Sequence, residues 1–319
     1  MSTEGNKVTS AVEWEDIPAE KFQIIGTDDF SADVIARPKI GYWADAWRRL
    51  KENKIALIAL IVLLILVFMV TFGPMISGYS FEQIDTEAIN QRPSAEHWFG
   101  TDSLGRDLFA RVWQGGRVSI IIGIVGAVIA SVLGCIYGGI ASYFGGIVDD
   151  IMMRIVEVLL SIPYLIIVIL ISVVTDSKSM GTMMLALTLT GWGGIARLVR
   201  GQMLQIKTQE YVLAANALGV SPLKTIMRHM IPNTIGIIIV AITFDIPGYI
   251  FSEAFLSYIG LGIQPPDTSW GALASAAQQN FMFYPYQLFF PSIMIALTML
   301  SFTLLGDGLR DALDPKLRK

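Results

Sequence analysis

EYVLAANALGVSPLKTIMRHMIPN, residues 210–233, lies between two long apolar stretches. Its punctuation reads as two short helices joined by a tight turn. Glu210 sits where an acidic residue complements the positive end of a helix. Gly219 stands where a left-handed residue ends one, so the pattern predicts a helix over 208–218. Ser221 suits an N-cap and Pro222 the first helical position, so a second helix starts there. Pro232 predicts the boundary with the next long segment. Ala214 and Ala215 are expected to form one patch small enough for close approach by another protein. Leu213, Ala217 and Leu218 would supply apolar contact beside it. An amphipathic loop resting on a membrane has the same spacing, and spacing alone leaves both readings open.

The rest of the chain explains why such a stretch matters. Of 319 residues, 53% are hydrophobic and 16% charged, and mean hydropathy is +0.57. Soluble domains average about 25% charged residues, so the class is an all-α integral membrane protein. A spanning helix needs roughly 20 mostly apolar residues. Six such segments are predicted, at about 55–72, 118–142, 151–174, 182–199, 235–258 and 288–305. Gly73-Pro74 is expected to end the first, and Pro163 and Pro247 lie inside the third and fifth. No cleavable leader is expected in residues 1–40, which lack an apolar run. The single cysteine, Cys135, reads as a small buried hydrophobe.

Basic residues orient the spans. With the N-terminus inside, eighteen of the 23 Lys and Arg fall on the inner side and five (Arg92, Arg106, Arg111, Arg117 and Lys178) on the outer. Both termini and residues 207–233 are then expected to be cytoplasmic. Residues 1–54 form a tail whose first 36 residues are acidic and expected to be disordered. Its end, 41–54, is an interfacial lead-in with Trp43 and Trp47. Residues 73–117 form an external loop, 118–305 a five-helix core and 306–319 a C-terminal tail.

Several chemistries lack their motifs. There is no G-x-x-x-x-G-K-[ST] loop, no H-E-x-x-H and no G-x-S-x-G. The two histidines, His97 and His229, fall on opposite sides of the predicted membrane. No catalytic residue, metal site, cofactor or nucleic-acid surface is expected on this chain. Energy for uphill movement would come from a partner or an ion gradient.

Glu210, Ala214, Ala215 and Gly219, followed by Ile231-Pro232, resemble the E-A-A…G loop of permease subunits in ABC importers. HWFGTDSLGRDLFARVWQGGRVSI (97–120), LSYIGLGIQPPDTSWGALAS (256–275) and LLGDGLRDALDPKLR (304–318) resemble the C-type subunit of oligopeptide, dipeptide and nickel permeases. The resemblance spans about residues 40–319 and departs at Asn216, read as harmless. It implies the type I importer permease fold. It implies a homologous B-type permease partner, two cytoplasmic ATPase subunits holding ATP and Mg, and an extracytoplasmic solute-binding protein. It further implies that Glu210, Leu213, Ala214, Ala215, Ala217, Leu218, Gly219, Ser221 and Pro222 dock on an ATPase. Short peptides are the expected cargo, with nickel chelate as the alternative. An ion-coupled secondary transporter is a distant reading, because it leaves this loop unexplained.

A passage for cargo is sought among polar residues inside spans, because ionisable groups there usually face a cavity or a partner. Asp245, Tyr249 and Ser252 fall on one stripe of the fifth span, with Glu253 beside it. The stripe is expected to line the path, its acids suiting a peptide's amino terminus. Arg154, Glu157 and Ser161 share a face of the third span, expected to hold an ion pair. Gly134 and Gly138 form G-x-x-x-G, expected to pack closely. Arg197 and Arg200 are expected to snorkel or to brace the 207–233 loop. Asp102, Arg106, Asp107 and Arg111 suggest an external salt-bridged cap. Trp270, Phe281, Phe283, Tyr284 and Tyr286 are expected to anchor at the interface.

Overall fold

The structure, a computed structural model, describes residues 41–314. The acidic tail expected over the first 36 residues lies outside the described residues, as does the end of the C-terminal tail. The described chain is helical: α1 (Tyr42–Glu52), α2 (Lys54–Ile76), α3 (Leu108–Phe144), α4 (Gly146–Ser161), α5 (Tyr164–Thr175), α6 (Met180–Lys207), α7 (Glu210–Ala217), α8 (Pro222–Thr225), α9 (Ile231–Tyr258), α10 (Trp270–Gln278) and α11 (Pro285–Leu313). Among the described residues, five helical runs are long and apolar enough to cross a membrane: α2, α3, α6, Pro222–Tyr258 and α11. The pair α4 and α5 makes a sixth if it is one bent span.

Helix α3 is the axis of the bundle. It packs on α2, α6 and α9, while α11 closes against α2 and α9. Glycines set the closest contacts. A methyl group on Gly134 would lie 2.7 Å from the Ile195 side chain, and one on Gly138 would strike the backbone at Ala196 and Arg200. The expected G-x-x-x-G seam is therefore the α3–α6 crossing, where Gly138 lets the two backbones meet and Gly134 receives the Ile195 side chain. Cys135 is buried in the same seam beside Ile195 and Val199. At the start of the described chain, α1 buries Leu50 against Ala56 and Ala312 and leaves Trp43 and Trp47 exposed. Lys51 lies over the Trp47 ring.

Several boundaries differ from the sequence reading: α6 runs on to Lys207 and α11 to Leu313, past the expected 199 and 305, so the expected 306–319 tail begins as helix. Gly73-Pro74 does not end α2, which runs on to Ile76. Proline leaves the carbonyl four residues back without its helical donor. Arg117 Nε fills that vacancy, donating to Val70 O at 3.2 Å, and its Nη2 donates to Thr71 O at 2.8 Å. Helix α3 starts ten residues earlier than expected, because Asp107 caps it through Ala110 N–H at 2.8 Å. Arg111 and Arg117, read as outer-loop charges, thus lie inside α3. The third segment is not one straight helix: α4 and α5 meet at 83°. Ile162, held extended ahead of Pro163, makes the break. Pro232 lies in the first turn of α9, at the expected boundary, yet the helical run does not break there. A π-helical turn, Ile226–Met230, joins α8 to α9 with Ile231 N–H bonded to Ile226 O.

Candidate functional site

The stretch 210–233 folds into a knob between α6 and α9. Helix α7 begins at Glu210 rather than at Thr208, since Thr208 closes α6. It ends as the glycine predicts. Gly219 has φ 74°, its N–H bonds Asn216 O at 3.0 Å, and Val220 N–H bonds Ala215 O at 3.1 Å. This pair of bonds satisfies the last carbonyls of the helix. Pro222 opens α8 as expected, and Ser221 holds the cap position without a side-chain cap bond.

The two alanines do not form one patch. Successive helical residues turn by about 100°, so Ala214 faces out while Ala215 is buried. Val212 faces inward with Ala215 and packs with Met203, Ile226 and Met230. The outward face holds Glu210, Leu213, Ala214, Ala217, Leu218, Gly219, Ser221 and Pro222. Leu218 is 84% exposed, Leu223 65% and Leu213 54%, which makes the tip a protruding apolar surface.

Asn216 and Lys207 fasten this knob to the end of α3. Asn216 Oδ1 accepts a hydrogen bond from Tyr143 Oη at 3.1 Å. Lys207 Nζ donates to Tyr143 O at 2.6 Å and Ser142 O at 3.2 Å. A cation on the last carbonyls of a helix is favourable. Asn216, the one departure from the E-A-A…G pattern, thus has a partner of its own.

The second feature is a cleft of about 490 Å³ between α5, α6 and α9. Asp245, Gly248, Tyr249 and Ser252 of α9 line one wall, and Thr190, Gly191, Gly194 and Leu198 of α6 line the other. Tyr164, at the start of α5, completes it. Asp245 has no hydrogen bond or ion pair among the described residues. Tyr249 is wedged between two glycines. A methyl group on Gly126 would lie 2.8 Å from its ring, and one on Gly191 would collide with its hydroxyl. That hydroxyl is buried without a hydrogen-bond partner among the described residues.

Glu253 does not belong to this wall. It is fully buried on another face of α9, bonded to Ser119 and Ser257. Eight residues past Asp245, it is rotated by about 80° from the stripe, toward α3.

Elsewhere Asp149 takes Arg200 in a two-point ion pair, Nε and Nη2 each 2.5 Å from its oxygens. Arg200 therefore braces α4, and neither snorkels nor reaches the knob. Arg197 lines a separate opening with Asp150, Arg154 and Glu157. Arg154 and Glu157 pair at 2.7 Å on the surface, while Ser161 only bonds its own helix. The Asp102 cluster is salt-bridged, with Arg106 at 2.8 Å and Arg111 at 3.5 Å. Asp107 turns away from it to meet His97 Nδ1 at 2.9 Å.

Trp270 is no interface anchor. It is completely buried, with Nε1 donating to Val112 O at 2.8 Å. Tyr286 also bonds inward, to Gln91 O, whereas Phe281 and Phe283 are exposed.

These features have counterparts. Residues 128–319 match the family model described as "binding-protein-dependent transport system inner membrane component". The chain belongs to this family. Residues 41–93 also match the N-terminal transmembrane domain of oligopeptide transport permease C. The permease is 49% identical, over 95% of both chains, to the dipeptide transport system permease protein DppC of Bacillus subtilis (strain 168). It is 45% identical to the oligopeptide transport system permease protein OppC of the same organism, over 96% of this chain and all of that one. The glutathione transport system permease protein GsiD of Escherichia coli O6:K15:H31 (strain 536 / UPEC) shares 38%, over 86% of this chain and 91% of its own. A chain of the inward-facing MetNI methionine ABC transporter shares the fold. Its TM-score is 0.51 at 18% identity, covering 63% of this permease and 95% of that chain. The permease is thus a multi-pass protein of the bacterial cell membrane.

Proposed function

We propose that this permease forms half of the passage for short peptides in an ATP-driven importer. The knob at α7 and α8 docks on a cytoplasmic ATPase subunit, and both chain termini lie on that side. A homologous B-type permease supplies the other half of the passage. Two ATPase subunits bind ATP and Mg and do the hydrolysis, and a solute-binding protein delivers cargo from outside. The observation that supports docking is the protruding tip. Leucines 54–84% exposed, on α7, which is fastened to α3, and on α8, which is continuous with the next span, suit burial against another protein. Closure of the ATPases would push this rigid knob and shift α9 against α6, opening one side of the cleft or the other.

The cleft between α5, α6 and α9 is the proposed path, with Asp245, Tyr249 and Ser252 on its wall. Asp245 is a carboxylate without a counter-charge among the described residues, and a peptide's α-ammonium supplies one. The dipeptide, oligopeptide and glutathione transport systems named for the relatives favour peptide cargo over nickel chelate. The docking reading is tested by co-purification. The tagged permease is expected to bring down a soluble ATPase, and Leu218→Glu to lose it while inserting normally. Retention of the ATPase by Leu218→Glu would refute docking at this tip.

A further inference from the structure

Glu253 is the completely buried carboxyl of α9, and no ion pair reaches it among the described residues. A carboxylate buried without donors or a cation is strongly unfavourable, so its surroundings matter. Ser119 Oγ, on α3, donates to Glu253 Oε2 at 2.7 Å. Ser257 Oγ, one turn on in α9, donates to Oε1 at 2.8 Å. Ser269, the N-cap of α10, stands with them, its Oγ 3.5 Å from that of Ser257.

Each of these hydroxyls accepts a backbone N–H in turn. Trp270 N–H donates to Ser119 Oγ at 3.3 Å, Ile263 N–H to Ser257 Oγ at 3.3 Å, and Ala272 N–H to Ser269 Oγ at 3.1 Å. A hydroxyl has one proton, so a serine that takes an N–H and gives its own proton to a carboxylate relays polarisation inward. Two of the three N–H groups belong to the first turn of α10, where helical donors have no partner in their own helix. The positive end of α10 therefore faces the carboxylate through a single layer of serines.

Glycines bring the backbones close enough for this. A methyl group on Gly271 would meet the Ala254 backbone, and one on Gly115 would lie 3.0 Å from that of Ser269. The first turn of α10 is thus pressed between α3 and α9 with Glu253 beneath it.

We propose that Glu253 is a positioning residue that locks the first turn of α10 to α9 and α3. Helix α10 and the turn 259–269 then move as one body with α9, the helix that bears Asp245. A load applied to α10 reaches the cleft wall through this lock. The idea goes beyond the proposed path, since Glu253 touches no cargo; only its uptake arm rests on the peptide assignment.

The test uses the assembled transporter. Amide hydrogen exchange is measured over residues 262–273 and, as a control, over α6. Glu253→Gln replaces one acceptor oxygen by a donor and leaves a serine proton without a partner. Exchange over 262–273 is expected to quicken about tenfold or more, with α6 unchanged. Peptide uptake by the same variant is expected to lose maximal rate while KM stays within about twofold, as for a part that moves the wall without touching cargo. Ser119→Ala and Ser257→Ala, which keep the carboxyl, are expected to give smaller changes of the same kind. They serve as the test if Glu253→Gln does not insert. Unchanged protection over 262–273 in all the variants that insert would overturn the lock, whatever the cargo. A raised KM with an unchanged maximal rate would overturn it by returning Glu253 to the path.

Discussion

Gly138→Ala probes the α3–α6 seam that joins the cleft wall to the axis of the bundle. A methyl group there would collide with Ala196 O and lie 3.0 Å from Arg200 N, where ordinary contact begins at 3.4 Å. Both neighbours are backbone atoms of α6, so no side chain can turn aside. The helices must separate by several tenths of an ångström. A gap of roughly 0.5–1 Å forfeits a quarter to a half of the dispersion well at each contact along the seam. Overpacking of a tight core costs about 1–3 kcal/mol, and one methyl group against rigid backbone belongs within that range. Thermal unfolding of the detergent-solubilised transporter measures it. Gly138→Ala is expected to melt several degrees lower, at about 2–4 °C per kcal/mol for a chain of this scale. Gly194→Ala is the control, because a methyl group there meets nothing within 4 Å. Equal melting of the two variants would refute the backbone-contact argument.

Asp245→Asn is expected to raise KM for uptake of a free-amine peptide roughly tenfold, about 1.4 kcal/mol, while an N-acetylated peptide is unaffected. Equal effects on the two peptides would remove the ammonium from the argument. Asp149→Asn breaks the two-point pair with Arg200, whose side chain is one-third exposed. Solvent screening holds the expected loss to about 1–2 kcal/mol, read as a lower melting temperature with ATPase association retained.

Much of this layout is legible in the sequence because membrane helices announce themselves by apolar length. The knob is legible too, since Gly219 and Ser221-Pro222 fix backbone geometry locally. What escapes is partnership across distance. Ser119 and Trp270 meet across 151 positions, and nothing near Glu253 signals that the serines gathered around it come from three elements. Trp270 reads as an interface aromatic until its indole N–H finds Val112 O. The early start of α3 is hidden because Arg111 and Arg117 depress the apolar count. Both are neutralised or capped by loop and α2 groups that a window along the chain does not see. Gly73-Pro74 misleads for the same reason, since the donor that lets α2 continue is Arg117. Ala215 turns inward simply because adjacent residues of a helix cannot share a face.

Coupling of ATP hydrolysis to passage of peptides through the bundle is the proposed role of the α7–α8 knob. Its most direct test is uptake of a labelled tetrapeptide by cells lacking this gene, complemented with wild type or Glu210→Lys. Glu210 is exposed at the start of α7, so the substitution leaves the core untouched. Wild type is expected to restore uptake, and Glu210→Lys, inserted at a normal level, is expected not to. Full uptake by Glu210→Lys would contradict the coupling role, and equal uptake with and without the chain would contradict the peptide assignment.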